Sequence, residues 1–303
     1  MNSTPSRFSR RQQWLAAGGL TLVSVIWGTT FVAVKDAVAL APVMTFLGWR
    51  FGLGALALLP FSLRGLRRAT WREWAAGGLI GVSLFAGYYL QTEGLRYTTA
   101  SKAGFITGLY VPLAPLLAWP LVRQKPSRQA VVGLALATAG LGLLSLRGDL
   151  SVGRGDLLVF GCAVAFAAQV ALIGYAATRM NPLTLAQIQI TTVAVASILA
   201  AWVAREPFFS MPQDALTVAV YTGVLATALA IWLQNRCQGM TTVARAALVF
   251  ILEPVFAALF GWLLAGETLD LRGWLGAAMI LVGMAVGQMG ESKVSQPNTV
   301  KEV

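Results

Sequence analysis

The sequence predicts an all-α polytopic membrane protein: ten transmembrane helices built as two inverted five-helix repeats. Three observations carry that prediction. Only 12% of the 303 residues are charged while 57% are apolar, against about 25% charged in a soluble domain. The chain therefore has too little polar surface to face water, and lipid is the implied solvent of its outer face. The charges collect in short gaps between apolar runs, and short polar strings recur about 143 residues apart, one set in each half.

Each span is set by an apolar run of roughly 20 residues, the length that crosses a ~30 Å hydrocarbon core. The first, 14–34, follows Arg7, Arg10 and Arg11 as a signal peptide would. It is long enough to span, so it reads as a retained helix. Pro42 marks the gap before 43–63, and a basic stretch from Arg64 to Arg72 separates that run from 74–92. The junction Tyr97-Thr98-Thr99-Ala100 introduces 99–122, which Arg123-Gln124-Lys125 and Pro126 close ahead of 129–146. A turn region from Gly148 to Gly155 precedes 157–178, Asn181-Pro182 starts 183–204, and Pro207 and Pro212 break the chain before 215–235. The last two spans are 242–264 and 273–289. With the N-terminus inside, inner segments hold 15 Lys and Arg residues and outer segments 7. By the positive-inside rule both termini are then cytoplasmic.

The repeat is read from polar strings, because apolar matches are cheap in such a chain. Leu90-Gln91 matches Leu233-Gln234, and Thr98-Thr99-Ala100-Ser101-Lys102-Ala103 matches Thr241-Thr242-Val243-Ala244-Arg245-Ala246. Gly133 matches Gly276 and Gly140 matches Gly283; at the mid-helix prolines the spacing slips to 142, Pro112 against Pro254. This divides the chain into a first repeat at 1–146, a second at 147–290 and a cytoplasmic tail at 291–303. An odd number of helices per repeat makes the second half insert upside down. Inverted repeats are a recurring transporter design, with the substrate near the midplane between the halves.

Other classes fit poorly. The net charge of +11 lies in the gaps between apolar runs, not on one face as in a nucleic-acid-binding domain. Cys162 and Cys237 fall inside apolar segments, which argues against a disulfide framework, and there are no histidines, so neither the commonest acid–base group nor the commonest metal ligand is present. No cofactor or metal is expected. Neither a Walker A loop nor a G-x-S-x-G string occurs, so the reading is a transporter and not an enzyme: a secondary transporter or facilitated exporter of small organic molecules. A channel is the runner-up among membrane proteins.

Ionisable groups inside a span are expensive and point to function by default; here they are Arg50, Lys102, Arg245 and Glu253. Glu253 lies 11 residues from either end of its span, next to Pro254. It is either a proton-coupling or substrate-amine site, or a structural carboxylate bonded to backbone groups that the proline frees. Arg50, about 10 Å from the outer boundary at 1.5 Å per residue, either binds a substrate carboxylate or snorkels and pins loops. Lys102 and Arg245, near helix ends, read as anchors. Trp27, Tyr88, Tyr89, Tyr110, Gln169 and Trp232 are candidates to line a cavity. A zwitterion with an apolar side chain needs hydrogen-bond partners at one end and an aromatic wall at the other. Interfacial belts account for Trp14, Trp71, Trp74, Trp119 and Trp202. Trp27, Tyr110 and Gln169 lie too deep for that, which leaves site lining or packing between helices. Gln187 and Thr191 share a helix face and are expected to bond across helices. Gly283-x-x-x-Gly287 allows close helix approach, within the chain or in a weak homodimer.

Several of these strings carry a family resemblance. Trp27-Gly28-Thr29-Thr30-Phe31, Arg50, the Tyr97–Ala100 junction, Leu252-Glu253-Pro254-Val255-Phe256 and Gly266-Glu267 resemble the drug/metabolite transporter superfamily, EamA type, over about residues 14–289. The resemblance implies ten helices, cytoplasmic termini and a central cavity. Within the superfamily the chain looks most like the bacterial aromatic amino-acid exporters. That implies a multi-pass protein of the bacterial inner membrane whose partners are the bilayer and a small-molecule substrate, an amino acid or related metabolite, working as a monomer or weak homodimer. A proton-coupled exporter of other drugs or metabolites is the alternative. Arg123-Gln124-Lys125 departs from the Gly-Glu that the family repeat often has, so the two halves are not equivalent there.

Overall fold

The computed structural model describes residues 9–98, 100–122, 126–145, 152–256, 259–260 and 270–294. Thr99, Arg123-Gln124-Lys125, Gly266-Glu267 and the side chains of Phe31 and Lys102 lie outside the described residues. The described chain is helical, with short connections. In order, the elements are α1 (Arg10–Gly28), α2 (Thr30–Leu40), α3 (Val43–Arg68), α4 (Trp71–Gly94), α5 (Ala100–Gly108), α6 (Tyr110–Val122), α7 (Arg128–Ser145), α8 (Arg154–Ala176) and α9 (Pro182–Val203). The chain continues through α10 (Gln213–Tyr221), a π-helical turn (Thr222–Leu229), α11 (Ala230–Gln238), α12 (Val243–Phe250) and α13 (Leu271–Val294).

Starts of helices obey local capping chemistry. Ser9 with Gln12 and Thr70 with Glu73 form reciprocal capping boxes on α1 and α4, each satisfying two otherwise orphaned N–H groups. Asn181 caps α9, with Pro182 in its first turn. Asp156 accepts from the Gly153 N–H at 2.9 Å and from the Thr98 hydroxyl at 2.6 Å. That ties the start of α8 to the junction before α5. Thr242 caps α12 through the Arg245 N–H at 3.2 Å, so part of the recurring Thr-Thr string is a helix start.

Three expected spans are broken rather than straight. The first divides at Thr29, and α1 and α2 meet at a 42° bend. The other two breaks come from proline. Pro112 has no N–H for the carbonyl of Gly108, and Pro254 none for that of Phe250, four residues back in each case. Accordingly α5 ends at Gly108 and α12 at Phe250. At both places the backbone tightens in the same way, with Leu109 N–H donating to Ile106 at 3.1 Å and Leu252 N–H to Val249 at 3.0 Å. Those pairs are 143 residues apart. By length and hydropathy, five described helices are each able to cross a membrane, and α1 with α2 make a sixth. Shorter apolar helices lie in α7 and α13, and part of the expected 242–264 span lies outside the described residues. α13 also continues to Val294, into the stretch expected to be tail.

Packing is closest where glycine replaces side chains. α7 and α13 run antiparallel with backbones touching: a methyl group on Gly140 would come within 2.7 Å of the Gly276 oxygen, and one on Gly283 within 2.6 Å of the Gly133 oxygen. Because Gly133 corresponds to Gly276 and Gly140 to Gly283, this contact maps onto itself when the halves are exchanged. Other pairings exchange likewise: α4 packs on α8 as α11 packs on α1, and α5 packs on α8 as α12 packs on α1. Gly287 is turned toward Leu248 and Gly133, so the Gly283–Gly287 pair serves packing inside the chain. Gln187 bonds Ser62 at 3.0 Å and the Ala55 carbonyl at 3.2 Å on α3, as well as Thr191 on its own helix. Outward faces are apolar, with Leu56, Phe61, Val132 and Leu157 exposed, as a lipid solvent requires. The five belt tryptophans are exposed too. Arg245 is not a surface anchor: it is 5% exposed at the start of α12.

Candidate functional site

Several intramembrane polar residues, Arg50 and Glu253 among them, converge on one cavity of about 60 Å³ between α1, α2, α3, α4, α5, α6, α8 and α11. Its walls are Trp27, Thr30, Val34, Arg50, Leu84, Tyr88, Gln91, Leu95, Thr107, Tyr110, Phe166, Gln169, Val170, Gln234 and Glu253. That volume holds a few waters, far less than a pocket closed around an amino acid, so the state described is contracted. The helix breaks shape it. Tyr110 begins α6 directly after the break at Leu109, and Glu253 comes directly after the break at Leu252.

Arg50 is the dominant charge. It is 3% exposed, yet among the described residues its hydrogen bonds go to neutral hydroxyls: Nε to Thr227 at 3.1 Å and a terminal nitrogen to Tyr88 at 3.4 Å. Its guanidinium carbon lies 4.7 Å from the Tyr88 ring centroid and 5.5 Å from that of Phe51, a cation–π seat. Among the described residues no carboxylate pairs with it. A buried charge without a counter-ion is costly, and the fork retains donors that face the cavity. Glu253 stands on the same cavity. Beside it is the buried Tyr110 hydroxyl.

Aromatic rings form the remaining wall. Phe166 meets Tyr88 and Tyr110 edge-on at centroid distances of 5.2 and 6.2 Å. Trp27 leans on Phe250 at 5.8 Å and fixes its indole by donating to the Ala226 carbonyl at 2.9 Å. Amides close two edges: Gln91 donates to Thr107 at 3.1 Å, and Gln234 and Gln169 exchange hydrogen bonds at 3.3 and 3.4 Å.

Six of the residues singled out in the sequence thus share this cavity: Trp27, Arg50, Tyr88, Tyr110, Gln169 and Glu253. Tyr89 and Trp232 do not. Successive residues of a helix point about 100° apart, so Tyr89 turns away from its neighbour Tyr88. It lines a separate groove with Glu93, Arg96 and Glu206. Trp232, two positions from Gln234, packs against a cluster of apolar side chains instead. Sequence reasoning missed Phe166, Thr107, Gln91 and Gln234 as site residues. The last two carried a usable signal, since they are amides inside spans at matching places in the two halves.

The EamA-like transporter family matches the chain twice, over residues 14–146 and 153–286. The chain belongs to this family. Among its relatives, an uncharacterized transporter of Archaeoglobus fulgidus is 36% identical over 268 residues, 88% of this chain and 84% of that one. The uncharacterized inner membrane transporter YedA of Escherichia coli is 26% identical over 90% of both chains, and the uncharacterized transporter YvbV of Bacillus subtilis is 24% identical over 88% and 89%. One solved structure, a "crystal structure of protein", aligns with a TM-score of 0.78 at 20% identity, over 95% of this chain and all of that one. It shows the shared fold. An EamA-like chain with these apolar helices is a membrane transporter of small molecules.

Proposed function

We propose that this EamA-like protein exports amino acids, those with aromatic or bulky apolar side chains included, by alternating access through the cavity around Arg50 and Glu253. One observation carries the reading: a buried guanidinium that no carboxylate among the described residues pairs with faces the same small, aromatic-lined cavity as a carboxylate. A zwitterion supplies the missing partner for each. Its carboxylate takes the Arg50 fork, which matches it bidentately. Its amine meets Glu253, and its side chain lies against Trp27, Tyr88, Tyr110 and Phe166. The cavity must widen to admit it, as a gated pathway requires.

Ten spans as two inverted repeats, with both termini in the cytoplasm of a bacterial inner membrane, remain the architecture we favour. The exchange-symmetric α7–α13 contact, the matching proline breaks and the double family match support it. Proton coupling is a second reading, favoured by Glu253 on the cavity beside the buried Tyr110 hydroxyl. Uptake of a radiolabelled amino-acid panel into proteoliposomes, with and without a pH gradient, tests both. Saturable phenylalanine flux is expected, and flux of no amino acid would overturn the substrate reading.

A further inference from the structure

The π-helical turn Thr222–Leu229 carries the two cavity groups that reach across from α1 and α3. Trp27 is fixed by the Ala226 carbonyl and Arg50 by the Thr227 hydroxyl. Thr29 shares a hydrogen bond with Tyr221, the residue before the turn. A methyl group on Gly54 would come within 2.8 Å of the Gly223 oxygen, so α3 lies directly on the turn's backbone. A π turn closes i→i+5 rings where an α-helix closes i→i+4, and so holds one extra residue. Everything C-terminal to it is rotated by about 100° and shifted by about 1.5 Å from where an unbroken α-helix would put it.

The helix after the turn, α11, forms one edge of the cavity. There Gln234 pairs with Gln169, Asn235 accepts from Gln189 at 3.3 Å, and Gln238 donates to the Val170 carbonyl at 3.1 Å. Gln169, Gln189, Gln234, Asn235 and Gln238 are all buried. Gln189 Oε1, Asn235 Nδ2 and Gln238 Oε1 have no partner among the described residues, so this amide closure is only half satisfied and cheap to rearrange. One short helix carries three of its members, which must move together.

We propose that the π-helical turn is the hinge of the transport cycle, with Thr227 the positioning residue that holds it to Arg50. A ligand carboxylate draws the guanidinium off Thr227, the turn tightens into α-helix, and α11 rotates its three amides out of the closure. The ligand and the hydroxyl compete for one cation, which supplies the differential affinity that any ligand-driven shift requires. This rests on the cavity being the transport site, and the test separates the two claims.

Replace Cys162 and Cys237 by alanine, and place a cysteine at Val170, which lines the cavity beside the amides. A membrane-impermeant thiol reagent added on the Gln238 side of the bilayer then reports opening. Removing Leu225, a lipid-facing residue of the turn, deletes the extra residue. The turn becomes α-helical while α11 keeps its present orientation, so the closure is locked. Labelling should slow by at least about tenfold, with or without phenylalanine; an unchanged rate overturns the hinge. If phenylalanine alters labelling in neither protein while the deletion still slows it, the hinge stands and the amino-acid reading falls. Should the deletion yield no folded protein, ligand-free labelling of Thr227→Val and Thr227→Ser decides. Valine releases Arg50 and should speed labelling by about fivefold or more, whereas serine should match the parent; equal rates in all three overturn the proposal.

Discussion

α4 and the span from α10 through α11 occupy corresponding places in the two halves, and they solve the same packing problem differently. Both put a glutamine on the cavity, Gln91 and Gln234, 143 residues apart. α4 is α-helical throughout, from Trp71 to Gly94, and among the described residues Gln91 bonds the Thr107 hydroxyl. The second span is interrupted by the π turn, and its glutamine is one of three amides bonded to α8 and α9. Trp27 and Arg50 both rest on the interrupted span. The halves share a plan, but the buried cavity charge and the π-interrupted helix, the proposed ligand anchor and hinge, meet on one side only. That is a physical reason for two similar halves to act as unequal gates.

The sharpest way to break this comparison is to remove its charge. Arg50→Ala should cut phenylalanine flux by about a hundredfold, since a charge-assisted fork is worth ~2–3 kcal/mol or more in a dry site. Arg50→Lys should recover little, because an ammonium cannot hold Thr227, Tyr88 and a carboxylate at once. Near-normal flux in Arg50→Ala liposomes would remove Arg50 from the site. Next in size is Glu253→Gln. If the carboxyl carries protons, the response of flux to a pH gradient disappears while substrate exchange persists; loss of the protein from the membrane would instead mark a structural carboxylate.

Two smaller effects sharpen the account. Trp27→Ala and Tyr110→Ala should each weaken phenylalanine binding by about fivefold or more, ~1 kcal/mol or more of lost ring contact. Binding of a small amino acid should change far less. Equal losses for both ligands would mean that the rings pack helices and do not sort side chains. Gln234→Leu strands the Gln169 amide in a buried position and should cost ~1–3 kcal/mol of stability. Gln91→Leu leaves Thr107, whose hydroxyl can turn to its own helix backbone, and should cost less than ~1 kcal/mol. Thermal denaturation in detergent would rank them, and the reverse order would contradict the asymmetry.

Much of this was legible in the sequence, for reasons particular residues make plain. Apolar runs marked the helices because lipid demands them, and Arg50 and Glu253 stood out because charge inside a span is rare. Pro112 and Pro254 were visible, but that they end a helix four residues upstream, and so place Tyr110 and Glu253 on the cavity, needed the structure. Helix phase was the main loss. When every face of a helix is apolar, nothing in the pattern separates Tyr88 from Tyr89, or Gln234 from Trp232. The π turn was hidden as well, because it takes one extra residue and Thr222–Leu229 contains no proline to announce it.

The central claim is that the cavity recognises a zwitterion through Arg50 and Glu253, and competition binding to the purified protein tests it most directly. Radiolabelled phenylalanine is displaced by unlabelled phenylalanine, by phenethylamine, which lacks the carboxylate, and by 3-phenylpropionate, which lacks the amine. Both truncated ligands should bind at least about tenfold more weakly than phenylalanine, since each leaves one buried charge unpaired. Should 3-phenylpropionate or phenethylamine compete as well as phenylalanine, only one of the two charges engages the ligand and the zwitterion account is wrong.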